Sequence, residues 1–235
     1  MLKYTPEQEV YDILNAGPSN RFTAAGVLVH NCGYQGGVGA MKQMDKGGSI
    51  PEEELQSVVD QWREANPKIV KLWRSCELAA KAAIDDHKMH VIQQNVSFSY
   101  RNNNLYITLP SGRSLCYFGA RLKEGKYGDQ IVYKGVNQTT KKWEDTETYG
   151  GKLVENIVQG IARDCLAEAM ARVCAMDAGL QIVMHVHDEM IVDVPADVAQ
   201  CALDDVNDCM SREIDWAPDL PLKGDGYVCD FYKKD

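Results

Sequence analysis

Asp188 and Glu189 stand side by side between two apolar stretches, and their adjacency marks the first place in this chain where side chains could do chemistry. Neighbouring carboxylates repel unless one is protonated or both share a cation, and a divalent metal is the ordinary way of holding them together. Before them, Ile182, Met184 and Val186 alternate with Val183, His185 and His187; after them, Met190, Val192 and Val194 alternate with Ile191 and Asp193. That period of two predicts two strands of a half-buried sheet meeting at a tight polar turn. The turn lacks the Gly or Asn that a two-residue hairpin favours, so local propensity does not explain an Asp-Glu tip. A solvated turn is the plain alternative. A second pointed arrangement is His30-Asn31-Cys32. An Asn side-chain amide can attack its own carbonyl and cleave the following peptide bond, while a Cys just beyond can hold an acyl group as a thioester.

Other elements must position these groups. Residues 152–177 carry Leu153, Ile157, Ile161, Leu166, Met170 and Val173 along one helical face, widened by Val154, Val158 and Cys165, and predict a long helix leading into the hairpin. Residues 52–86 read as helix broken at Pro67, with Leu55, Val58, Val59 and Trp62 before it and Ile69, Val70, Leu72, Trp73 and Leu78 after it. Residues 98–100, 105–109 and 114–117 read as strands separated by Asn102-Asn103-Asn104 and Ser111-Gly112-Arg113, both turn chemistry. Residues 123–151 form a polar surface ribbon, and a further helix is expected over 198–214. The first thirty-one residues differ: short strand-like pieces at 10–14, 22–23 and 27–29 surround a Gly17-Pro18-Ser19-Asn20 turn. The glycines of 33–41 lack the register of a phosphate-cradling loop and suit a flexible turn. The fold class is therefore mixed α/β, of the α+β kind.

Composition narrows the class. The chain has 235 residues, 45% of them hydrophobic, which allows one or two folded domains. No apolar run is long enough to cross a bilayer, and no signal-peptide pattern opens the sequence. Eight cysteines show no zinc spacing and lie mostly at apolar positions, so buried free thiols and a reducing cytoplasm are expected. The net charge of -9 is uneven: residues 32–181 hold nineteen basic and eighteen acidic residues, whereas 182–235 hold four and thirteen. The acidity sits from the hairpin onward, which leaves room for local phosphate binding in the centre but not for a strong unaided grip on DNA.

Val186-His187-Asp188-Glu189, following Glu155-Asn156-Ile157-Val158-Gln159-Gly160-Ile161-Ala162-Arg163-Asp164, resembles the last catalytic motif of family A DNA polymerases and the helix before it. Leu109-Pro110-Ser111-Gly112-Arg113 is similar to the segment that returns the fingers to the palm, and Gly33-Tyr34 to the end of the nucleotide-binding helix in phage forms. The resemblance implies fingers over about 32–110 and palm with catalytic hairpin over about 111–235. It implies that Asp188 ligates catalytic magnesium, that Glu189 is a weaker ligand, and that His187 orients the turn or contacts the primer. Tyr34 would stack near the templating base, Arg113 would meet a backbone phosphate or the catalytic shell, and Gln159, with Arg163, would reach the minor groove at the primer terminus. Two magnesium ions are implied, completed by a carboxylate from an upstream half. Arg63, Lys68, Lys71, Arg74 and Lys81 could line a DNA path or a solvated helix face.

Residues 1–31 resemble the C-terminal fragment of a split intein, a Hint-type fold. There Asn31 would cyclise, His30 would assist, and Cys32 would receive the upstream polypeptide; Asn20 stands where the family often has a catalytic His. The implied protein is the C-terminal half of a DNA-directed DNA polymerase, inactive alone and delivered by trans-splicing. Its partners would be primed DNA template, deoxynucleoside triphosphates, the upstream half with its N-terminal intein fragment, and a processivity factor, with no membrane; its place would be the cytoplasm, the host's for a phage gene. The other readings are a non-splicing DNA-binding or assembly subunit and a freestanding metal-dependent nuclease.

Overall fold

The structure, a computed structural model, describes residues 22–24, 27–29, 35–44, 50–92, 95–125, 128–137, 140–176 and 179–232. His30, Asn31, Cys32 and Tyr34 lie outside the described residues, as do 10–14 and 17–20. β1 (Phe22–Ala24) and β2 (Val27–Val29) pair antiparallel, with Phe22 opposite Val29.

The spine of the molecule is α4 (Gly150–Ala175), whose 26 residues bury Leu153, Val154, Ile157, Leu166 and Val173. Its first amides, which have no partner within the helix, are met by side chains: Gly150 N–H donates to Glu77 Oε2 at 3.2 Å and Gly151 N–H to Gln35 Oε1 at 2.9 Å. Glu77 belongs to α3 (Pro67–Asp86), which starts with proline at a first-turn position and ends where His87 takes a left-handed conformation. α3 and α4 pack together, and α2 (Leu55–Ala65) folds back at Asn66 so that Trp62 stacks on Trp73 with ring centroids 5.9 Å apart. α1 (Val38–Met44) docks Met41 on Leu55 and Val59.

Against this helical layer lies a four-stranded antiparallel sheet of β3 (His90–Val91), β4 (Ser97–Arg101), β5 (Asn104–Thr108) and β6 (Ser114–Tyr117). Asn102 and Asn103 both have positive φ, as the tight β4–β5 turn requires and as asparagine tolerates. Phe98, Leu105 and Ile107 are fully buried between this sheet and the helices. The expected polar ribbon is a second antiparallel sheet, β7 (Arg121–Lys123), β8 (Gln130–Val136) and β9 (Trp143–Thr148), whose Ile131, Tyr133 and Leu122 close the same core. The hairpin β10 (Gln181–Val186) and β11 (Glu189–Asp193) joins α5 (Ala199–Ser211) in a smaller core on the far end of α4, around Val173, Val206 and Cys209. No helix among the described residues is long and apolar enough to cross a membrane.

Several expectations are corrected. The alternation of β10 is broken: the register steps between Ile182 and Met184, leaving Val183 as a bulge. Ile182 therefore shares the helix-packed face with Met190 and Val192, while Met184 and Val186 pair with Ile191 and Glu189 on the other side. Leu78 and Val158 fit the helical periodicity yet point outward, Leu78 being 61% exposed. Of the seven described cysteines only Cys76 and Cys209 are buried, while Cys116, Cys174, Cys201 and Cys229 are exposed. Residues 38–44 are helical rather than a flexible glycine turn. Among the five basic residues of 52–86, Arg63 of α2 reaches the Gly36 carbonyl ahead of α1 at 3.4 Å, and Lys81 pairs with Glu77 one turn away within α3 at 2.6 Å.

The α3–α4 crossing is close because position 150 lacks a side chain: a Cβ there would sit 2.2 Å from the Trp73 carbonyl oxygen. Gly150→Ala is expected to cost about 1–3 kcal/mol by forcing the helices apart. Gly39→Ala, whose Cβ meets nothing within 4 Å inside α1, is expected to leave stability unchanged or raise it by up to about 1 kcal/mol through helix propensity. Urea unfolding of both variants checks the contrast.

Candidate active site

The β10–β11 hairpin closes on a two-residue turn, with Val186 opposite Glu189 and His187-Asp188 at the tip. His187 adopts φ 52, the left-handed region where the missing glycine or asparagine would sit. A side chain there costs on the order of 1 kcal/mol, and such strain concentrates at functional sites. Asp188 is exposed at the tip, while Glu189 is half-buried and accepts a hydrogen bond from the Tyr232 hydroxyl to Oε2 at 3.1 Å. That bond holds the Tyr232 phenol above its ordinary pKa, because loss of its proton would face the Glu189 carboxylate. One oxygen of Glu189 is thus committed to the C-terminal tail. Asp188 is the freer of the two carboxylates.

Hard carboxylate oxygens suit magnesium. Among the described residues, however, no group of three His, Cys, Asp or Glu side chains is placed to hold a metal ion. The donors fit magnesium in kind and fall short in number, so further ligands would have to come from outside the described residues.

Arg113, Gln159 and Arg163 line one shallow groove of about 430 Å³, together with Tyr117, Tyr133 and Asn156. Its floor is built by a clamp between the β5–β6 turn and α4. Arg113 Nε donates to Asp164 Oδ1 at 2.5 Å and Nη2 to the Gly160 carbonyl at 2.8 Å, while the Ser111 hydroxyl donates to Asp164 Oδ2 at 2.5 Å. The Asp164 side chain is only 10% exposed, so its charge is matched where water is scarce. Gly160 permits the arrangement, since a Cβ would lie 2.8 Å from Leu109 Cδ1 and 3.4 Å from Arg113 Nη2. Arg113 is therefore first a strut, with two of its three nitrogens engaged within the protein. Gln159 and Arg163 are exposed on the rim.

Asn156, Tyr133, Asp164 and Ser111 line or support this groove without having been marked out by the sequence. Asn156, Gln159 and Arg163 are three and four residues apart, a spacing that puts them on one helical stripe and was there to be read. Asn156 Nδ2 donates to the buried Tyr117 hydroxyl at 2.8 Å, and Tyr117 meets Tyr133 edge to face at 5.0 Å. Asp164 and Ser111 carry no local signal, because their roles depend on a contact spanning 53 residues.

Over 206 residues, 86% of this chain, the sequence is 45% identical to a DNA polymerase of Bacillus phage SP02. The chain is homologous to a phage DNA polymerase over most of its length. It spans about a third of that relative, 31% of its length. No protein-family model and no solved structure matches the chain.

Burial pushes the Tyr117 hydroxyl up to about 12, against an opposing pull from the Asn156 hydrogen bond. The unfolded chain gives up this proton near pH 10, the folded chain only near 12. The folded state thus holds the extra proton between those values, and stability falls as pH rises through that window. Tyr117→Phe is expected to flatten part of the decline. The remainder includes Cys76, whose thiol burial pushes up from 9.0 to about 12 in the same sense. Urea unfolding at stepped pH from neutral to the alkaline limit checks this; identical slopes for both proteins would contradict it.

Proposed function

We propose that this chain is the C-terminal part of a DNA-directed DNA polymerase, in which the β10–β11 tip carries Asp188 to the primer 3'-hydroxyl and the α4 groove holds the end of the primer–template duplex. The observation that carries the reading is the 45% identity to a phage DNA polymerase over 86% of the chain. Two features of the structure support it: an exposed Asp188 beside a strained His187, and Arg113, Gln159 and Arg163 gathered on one groove.

Bound magnesium would activate the primer hydroxyl and stabilise the charge that builds on the transferred phosphoryl group and the departing pyrophosphate. Asp188 would hold it, Glu189 would serve as an occasional ligand or an orienting neighbour through its bond to Tyr232, and another carboxylate would come from the polypeptide that supplies the rest of the enzyme. His187 fixes the turn that aims Asp188. Gln159 offers an amide donor to the minor-groove acceptors that all base pairs share, a check on pair shape that does not read sequence. Arg163, beside it on the rim, would reach the same end of the duplex, and Arg113 would keep both on station by pinning the β5–β6 turn to α4.

In the enzyme assembled from this chain and its upstream part, Asp188→Asn is expected to lower single-turnover incorporation by several orders of magnitude while primed-template affinity stays within about threefold, since most affinity comes from phosphate contacts. Glu189→Gln should cost less. An Asp188→Asn enzyme with normal incorporation contradicts the assignment.

The assembly itself would proceed by splicing at Asn31 and Cys32. Cys32 takes the upstream polypeptide onto its thiol, Asn31 cyclises and frees the branch, and the thioester passes to the adjacent Cys32 amine as a normal peptide bond. Co-expression with the upstream half should give a ligated product with residues 1–31 released. Asn31→Ala should accumulate a branched species cleavable by thiol, and Cys32→Ala should block transfer. Intact-mass analysis separates these outcomes, and a spliced product formed by Asn31→Ala removes the intein reading.

A further inference from the structure

The second sheet turns one face to the core and one to solvent. By register, Arg121, Lys123, Lys134, Val136, Trp143, Asp145 and Glu147 share one face and are exposed, since Lys134 pairs with Asp145 and Val136 with Trp143, while Val132, opposite Arg121 and Glu147 on the same face, is covered and only 2% exposed. Three of these side chains are cationic and two anionic, a local excess of positive charge in a chain whose net charge is -9. Arg121 and Lys134 converge on the single carboxylate of Asp145, which they hold below the usual carboxylate range, the Arg121 hydrogen bond contributing most. One carboxylate cannot neutralise two cations.

Beside this pair stand three large apolar side chains in water. Trp143 is 59% exposed, Phe118 53% and Val136 52%, and the Trp143 and Phe118 rings lie 6.2 Å apart at a tilt of 50°. Neither ring contributes to the buried core. Their positions are fixed in advance. The Lys134 amide donates to the Phe118 carbonyl at 2.8 Å, and the next amide, Gly119, donates to Asn104 Oδ1 at 2.9 Å, so the Phe118 turn is tied to both sheets. Gly119 takes φ 60, which this turn needs and a side chain would resist.

We infer that the outward face of the β7–β8–β9 sheet is a stacking platform for single-stranded DNA, with Trp143 and Phe118 each taking the π-face of an unpaired base and Arg121 and Lys134 meeting the adjoining phosphates. Bases offer flat faces irrespective of sequence, and exposed aromatics on a sheet flanked by cations are the general solution for binding an unpaired strand. The pre-set rings lower the ordering cost of the contact. The choice of DNA rests on the polymerase reading, in which an unpaired template strand must pass over the protein surface.

The test is fluorescence anisotropy of a labelled oligothymidylate about twelve nucleotides long, titrated with the full chain at low and moderate salt. It requires neither a primer nor incorporation, so failure of this contact and failure of the polymerase reading are separate results. Trp143→Leu keeps apolar bulk without a π-face and is expected to weaken binding about tenfold. Trp143→Phe should stay within about threefold of wild type, and Phe118→Leu should resemble Trp143→Leu. Arg121→Gln should lower the salt slope by about one. Matching thermal midpoints establish that the variants are folded. Undiminished binding by Trp143→Leu, no binding by the wild-type chain at low salt, or preference for the matching ribo-oligonucleotide would each overturn the inference.

Discussion

The candidate groove depends on how closely the β5–β6 turn can approach α4, and Gly160 sets that distance. With no side chain at 160, Leu109 and the Arg113 guanidinium lie directly on the helix, and Arg113 can reach both the Gly160 carbonyl and the Asp164 carboxylate. Asp164, nearly enclosed, is matched by Arg113 and the Ser111 hydroxyl together. Removing Arg113 would leave a poorly hydrated charge without its ion pair, and removing the Ser111 hydroxyl would leave one of its oxygens unsatisfied, a penalty of about 1–3 kcal/mol or more. The clamp thereby fixes the sheet against the exposed stripe of Asn156, Gln159 and Arg163. The groove's long, flexible rim side chains acquire a rigid base.

A second close approach organises the other end. The C-terminal tail crosses α5 at Gly224 and Gly226, where a Cβ would lie 2.7 Å from the Asn207 carbonyl and 2.8 Å from Leu203 Cδ1 respectively. The Gly224 amide donates to the Ser211 hydroxyl at 2.8 Å. From there the tail brings Tyr232 to Glu189. The β10–β11 hairpin is thus held from behind by α4 and α5 and touched at its tip by the C-terminal tail, which separates two adjacent carboxylates: one anchored, one exposed. The strain at His187 fits this division, since the surrounding contacts hold a turn that its residues would not choose.

What the sequence revealed, it revealed through periodicity and turn chemistry. The helix over 150–175, the break at Pro67, the Asn102-Asn103 turn and the hairpin around Asp188 all follow from local pattern. The bulge at Val183 was hidden, because alternation in sequence cannot report an extra residue that reverses the faces. The outward turn of Leu78 was hidden too, since periodicity says which residues share a face and not how wide the neighbouring layer is. Gln159 and Arg163 were singled out only by the resemblance of 155–164 to a known helix, and the structure puts both on the rim of one groove. Asp164, Ser111 and Tyr232 act across 43 to 53 residues of chain, so only the fold could bring them forward. The second sheet, read in sequence as a polar ribbon, showed its aromatic outer face only once strand register was known.

In the proposed enzyme the α4 groove would receive the primer end of a duplex while the hairpin tip faces its 3'-hydroxyl. The most direct measurement is site-specific photocrosslinking, with a benzophenone side chain replacing Arg163 in the assembled enzyme and a primer labelled at each position in turn. Crosslinks are expected only within the last few base pairs before the primer terminus, and are expected to be lost when the duplex is replaced by a single strand. Crosslinks spread evenly along the duplex, or found only on the unpaired template, would contradict that placement.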